Sequence, residues 1–121
     1  MAKILVVDDS DDVRTLVGRF LTAKGFEVLF AVDGADAIRQ TRDGAPDIVL
    51  MDLNMPGIDG FEATRQLKAD PVARQIPVLA LSAEDQISNR DAIYAAGCDG
   101  FIAKPIDFPN LVGKLEKHLQ R

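Results

Sequence analysis

The chain has 121 residues, 47% of them hydrophobic, and a formal net charge of −5, which is the size of one ordinary domain with enough apolar side chains for a core. The acidic balance speaks against nonspecific nucleic-acid binding, which needs Lys and Arg to neutralise phosphates, and a lone cysteine, Cys98, excludes an internal disulfide and fits a reducing cytoplasm. The longest apolar run is five residues, Val28 to Val32, against the roughly 20 needed to span a membrane, and Asp8 and Asp9 interrupt the first run too early for a secretory segment.

Apolar runs alternate with helical patterns along the whole length. Residues 3–8 predict a first strand. Ser10 is placed to cap the helix that follows, and Asp11 and Asp12 suit its positive end. Val13, Leu16, Val17, Phe20 and Leu21 recur on one helical face, so all five are expected to point inward. Gly25 supplies the C-cap. Strand two covers 27–31. Asp33-Gly34 turns the chain into a short helix to about residue 42, which Ala45-Pro46 ends. Strand three covers 47–52. The next helix runs from 60 to about 69 with Phe61, Thr64 and Leu67 inward, and Asp70-Pro71 closes it. Strand four covers 77–82, and a helix from about 86 to 96 is stopped by Gly97. Strand five covers 100–103. Asp107 caps a last helix, with Pro109 in its first turn and Leu111, Val112, Leu115 and Leu119 inward. Five strand–helix units on short connections predict an α/β fold, a doubly wound parallel sheet with helices on both faces.

The strand ends carry the chemistry. Ile48-Val49-Leu50-Met51 runs into Asp52, Ile4-Leu5-Val6-Val7 into Asp8-Asp9, Val78-Leu79-Ala80-Leu81 into Ser82, and Gly100-Phe101-Ile102-Ala103 into Lys104-Pro105. In open parallel sheets, ligands bind at the carboxyl ends of the strands. Taken alone, Asp8-Asp9 is equally a helix-capping charge, Ser82 an ordinary strand end and Lys104-Pro105 a turn. Together they place three carboxylates, a hydroxyl and an ammonium at one edge. Like charges so close need compensation, and a hard divalent cation such as Mg²⁺, with Mn²⁺ as an alternative, prefers oxygen ligands. The divalent ion and the Lys104 ammonium balance the three carboxylates. Such a site would attract a phosphoryl group, and a carboxylate can act as nucleophile toward it.

On these residues the chain resembles the receiver domains of two-component response regulators, over essentially its full length. The resemblance rests on Asp8-Asp9, on Asp52 with Leu53-Asn54-Met55-Pro56-Gly57 and Asp59-Gly60, and on Ser82-Ala83, Ala95-Ala96-Gly97 and Lys104-Pro105. It implies a flavodoxin-like receiver fold with strand order 2-1-3-4-5, helices split two against three, and one receiver domain over 1–121. It also implies roles. Asp52 would accept phosphoryl from a histidine kinase or histidine phosphotransfer protein. Asp9 and Asp52 would ligate Mg²⁺ by side chain, Asp8 through water and Asn54 through its backbone carbonyl. Lys104 would hold a phosphoryl oxygen and pair with Asp52 at rest. Ser82, with Ala83 beside it, would bind the phosphoryl group. Phe101 would be the aromatic switch, and Lys104-Pro105 a cis peptide. Glu84 and Asn54 would flank the site as in chemotaxis-type regulators.

With Met1 before the first strand and Arg121 after the last helix, the expectation is a stand-alone cytoplasmic module. It would bind a downstream protein and neither nucleic acid nor membrane, as a monomer or a phosphorylation-dependent dimer. It would be no enzyme beyond releasing its own phosphoryl group. The competing reading is a Mg²⁺-dependent phosphatase of haloacid-dehalogenase type, but that chemistry wants a carboxylic acid two residues after the nucleophile, and position 54 is Asn. A nucleotide- or flavin-binding domain fares worse, because the loop after strand one is Asp-Asp-Ser-Asp-Asp with no glycine cradle. His118 reads as a solvated helix-end residue, Cys98 as structural and Tyr94 as partly exposed.

Overall fold

In a computed structural model, which describes residues 2–55, 57–83 and 90–119, five strands form one parallel sheet. They are β1 (Lys3–Val7), β2 (Glu27–Ala31), β3 (Ile48–Asp52), β4 (Val78–Ala83) and β5 (Gly100–Lys104), in the order β2-β1-β3-β4-β5. The helices are α1 (Asp11–Ala23), α2 (Gly34–Gly44), α3 (Gly60–Ala69), α4 (Arg90–Ala95) and α5 (Phe108–Leu119), with one 3₁₀ turn at Ala73–Gln75. Pro56, Glu84 and the start of the fourth helix expected from Gln86 lie outside the described residues.

The alternation of side chains along the strands divides the core. Ile4, Val6, Ile48, Leu50, Leu79, Leu81 and Ile102 pack on one face against Val17 and Leu21 of α1 and Leu111 and Leu115 of α5. Leu5, Val7, Val49, Met51, Val78 and Ala80 pack on the other against Ala37 of α2, Ala63 and Leu67 of α3 and Ile93 of α4. This is the split of two helices against three. Burial on both faces explains why β1, β3 and β4 read as unbroken apolar runs. β2, at the sheet edge, leaves Phe30 43% exposed.

The caps expected at Ser10 and Asp107 form, with Asp107 Oδ1 accepting from Asn110 N–H at 3.3 Å, and Asp33 and Asp59 cap the two helices between. Ser10 Oγ accepts from the Val13 N–H, an Asp33 carboxylate oxygen from Asp36 N–H, and one of Asp59 from Glu62 N–H. α2 runs two residues past the expected 42, because Ala45 adopts the left-handed conformation (φ 45°) that ends it. Leu16 corrects the reading of α1. It is 58% exposed, because only Val17 and Leu21 reach the sheet while Val13 and Phe20 sit on the flanks. Val112 of α5 is likewise only partly buried. His118 is not simply solvated: its ring lies against Gly100, where a Cβ would come within 3.3 Å of Nε2, and burial pulls its pKa down. Cys98 is buried beside Thr64, and that burial raises its thiol pKa. No described helix is long and apolar enough to cross a membrane.

Candidate metal and phosphoacceptor site

Register brings the strand ends together. Val7 pairs with Met51, so Asp8, one residue on, falls beside Asp52. Asp52 pairs with Leu81, so Ser82 lies one step beyond it, and Ala83 pairs with Lys104. The five residues therefore meet at the carboxyl end of β1, β3, β4 and β5. A carboxylate oxygen from each of Asp8, Asp9 and Asp52 lies within 4.8 Å of the others. Asp8 and Asp52 are buried, and Asp9 is exposed. An all-oxygen, acidic donor set of this kind suits a hard divalent cation.

Lys104 reaches in from the end of β5. Its Nζ is 3.0 Å from Asp8 Oδ2 and 3.3 Å from Asp52 Oδ1. The resemblance implied a pairing with Asp52, and the ammonium is in fact shared with Asp8, which is the nearer. Burial alone would lower the Lys104 pKa, but the hydrogen bond its ammonium donates to Asp8 and the charge of Asp52 outweigh it and the net shift is upward. Asp52 Oδ1 also accepts from the Asn54 backbone N–H at 3.1 Å. Burial raises the Asp52 pKa against the opposing Asn54 bond; the charge of Asp8 adds to the rise and that of Lys104 reduces it. Among these neighbours the Asp52 carboxyl thus keeps its proton to a higher pH than a surface carboxyl does.

Asp8 is held on several sides. Its N–H donates to Ala31 O at 3.2 Å, Oδ1 accepts from Ser10 N–H at 2.9 Å, and its carbonyl accepts from Arg14 Nη1 at 2.5 Å. Arg14 escaped the sequence reading, because an Arg in the first turn of a helix looks like a surface residue. Its side chain is only 14% exposed. Ser82 is buried, with its hydroxyl 3.3 Å from Ala83 O. Asn54 is exposed at the rim. The Lys104-Pro105 peptide is cis. Phe101 is partly buried between Tyr94 of α4, edge-on with ring centroids 6.2 Å apart, and Lys114 of α5, whose Nζ lies 5.6 Å from its ring centre. Tyr94 is 49% exposed, as expected.

The family model of the response regulator receiver domain matches residues 4–116. The transcriptional regulatory protein PrrA of Mycobacterium tuberculosis is 39% identical over 119 residues, 98% of this chain and 50% of PrrA. The chain thus spans about half the length of that relative. Protein PilH of Pseudomonas aeruginosa is 38% identical over 112 residues, 93% of each chain. The crystal structure of the receiver domain of sensor histidine kinase PA1611 from Pseudomonas aeruginosa, with a magnesium ion coordinated in its active-site cleft, matches with a TM-score of 0.90. It is 30% identical, covering 98% of this chain and 97% of that one. Nothing in these matches supports the phosphatase reading.

Proposed function

The chain belongs to the response regulator receiver domain family, the phosphorylation-activated switches of two-component signalling, and from that premise we propose that Asp52 is its phosphoacceptor. The observation that supports this best is the buried Asp52 carboxylate at the end of the central strand, touched by Lys104 and grouped with Asp8 and Asp9. In the transfer, an Asp52 oxygen forms a bond to phosphorus as the phosphorus–nitrogen bond of a phosphohistidine donor breaks. The leaving imidazole keeps the electron pair and takes up a proton. Lys104 passes from Asp52 to a phosphoryl oxygen, and the Ser82 hydroxyl, beside Ala83, donates to another. Mg²⁺, or Mn²⁺ in its place, held by Asp9 and Asp52 with Asp8 acting through water and Asn54 through its carbonyl, would neutralise charge on the transferring group.

The donor is a histidine kinase or a histidine phosphotransfer protein, and the recipient of the signal a downstream protein. The surface that carries the signal is made by α4, β5 and α5. Drawing Ser82 toward the phosphoryl group vacates space that Phe101 turns inward to fill. Residues 1–121 act in the cytoplasm as one receiver domain, monomeric or dimerising on phosphorylation, which releases its phosphoryl group by its own hydrolysis. Acetyl phosphate with Mg²⁺ should add one phosphoryl group to the intact protein by mass spectrometry, and none to Asp52→Asn. Equal labelling of that variant would move the acceptor elsewhere.

A further inference from the structure

We propose that Arg14 is a positioning residue for the acidic site: its guanidinium fixes the Asp8–Asp9 peptide in the orientation that brings Asp9 into the cluster with Asp8 and Asp52. The proposal rests on the reading of that cluster as a divalent-cation site. β1 ends at Val7, so the Asp8 carbonyl leaves the sheet ladder just where the chain turns toward α1. A polar backbone group in such a place needs a partner. Arg14 supplies it, with Nη1 on the Asp8 oxygen at 2.5 Å and Nη2 paired with Asp11 across the first turn of α1. A planar fork with two fixed donors can bridge the two, and a single ammonium cannot.

The Asp8 carbonyl belongs to the same peptide as the Asp9 nitrogen, so holding that oxygen sets the direction in which Asp9 leaves the backbone. Asp8 is anchored besides by Ala31, Ser10 and Lys104. Asp9 is exposed, so its place depends on the backbone and not on packing. Arg14 itself is buried enough to be held in one geometry, with 14% of its side chain exposed.

Two accounts of this arginine predict opposite signs. Were it only a charge near the site, removing it would tighten cation binding. As a positioning residue, removing it must weaken binding. The test is a Mg²⁺ titration of the protein, followed by the amide signals of Asp9 and Asn54. Arg14→Gln should raise Kd about tenfold, the lower end of what losing a residue behind a metal ligand costs. Arg14→Lys should recover part of the loss. Labelling of Arg14→Gln by acetyl phosphate should be slow at low Mg²⁺ and approach the parent's rate at saturating Mg²⁺, which a role in docking a donor or in holding the fold together would not produce. Should Arg14→Gln fold poorly, Arg14→Met keeps the buried stem and carries the same measurement. A variant that binds Mg²⁺ as tightly as the parent, or more tightly, overturns the proposal alone. A parent that binds no Mg²⁺, indistinguishable from Asp9→Ala, overturns the cation-site reading and the proposal with it.

Discussion

Asp52 is held in a state that costs folding energy. Its folded pKa lies above that of an ordinary carboxyl, near 3.9, chiefly through burial and then the charge of Asp8, against the Asn54 bond. Between those two pKa values the folded chain binds more protons than the unfolded one, so stability falls as pH rises through that window and stays reduced above it. Asp52→Asn should therefore stabilise the protein at neutral pH without Mg²⁺, read as a rise in Tm. The gain should shrink as the pH is lowered through the Asp52 pKa. Melting curves of both proteins between pH 4 and about 8 would show it, and a variant less stable at every pH would contradict it. Lys104 has the same sign at a higher pH: its folded pKa is raised by Asp8 and Asp52 against burial, so its contribution is complete below about 10.4 and is lost as pH climbs through the raised value. At this scale the buried carboxylate of Asp52 was legible, because a charge buried at the end of a wholly apolar strand is costly and seldom incidental. The sharing of Lys104 and the burial of Arg14 were not, since both depend on distances between residues far apart in the chain or across a turn.

The elements were legible where periodicity and punctuation agree. β2 matched to the residue, as did α3 from Gly60 to Ala69, because capping residues and prolines bound them. Strand ends moved by one residue at β1, β3, β4 and β5, and Leu16 faces outward. A helical face wide enough to hold five apolar residues says nothing of how wide a strip the sheet covers. Gly60 shows how closely α3 is fitted to the site. A Cβ there would lie 2.2 Å from the Asp52 carbonyl oxygen and 2.7 Å from Leu53 Cα, both backbone atoms. Neither can swing away as a side chain does, so Gly60→Ala should cost about 2 kcal/mol or more. Gly113, inside α5, has nothing within 4 Å of its notional Cβ. There the same change should stabilise by roughly 0.5–1 kcal/mol through helix propensity. Urea unfolding of the two variants should thus give midpoints on opposite sides of the parent's, and a Gly60→Ala protein as stable as the parent would mean α3 stands off from β3.

For the whole molecule, one edge of the sheet gathers the charge, and the proposed switch Phe101 stands on a strand of the same sheet. The path from Asp52 to Phe101 is short, because β3, β4 and β5 are neighbours in the sheet. The aromatic ring rests between Tyr94 and Lys114 with part of its surface exposed. Turning it inward would bury apolar area worth up to about 1.5–3 kcal/mol, which is the size needed to shift a two-state population. The fold class was legible at this scale from the alternation of strands and helices; the resemblance supplied the strand order, which alternation alone leaves open. The most direct measurement is an amide chemical-shift comparison of the protein with Mg²⁺ alone and with Mg²⁺ and beryllofluoride, a mimic of the phosphoryl group. The account predicts large shifts at Asp52 and Asn54 together with Ala83, Tyr94, Phe101 and Lys114, and in Ser82→Ala the first group without the second. Shifts confined to the Asp52 loop in the parent, with Tyr94, Phe101 and Lys114 unmoved, would contradict it.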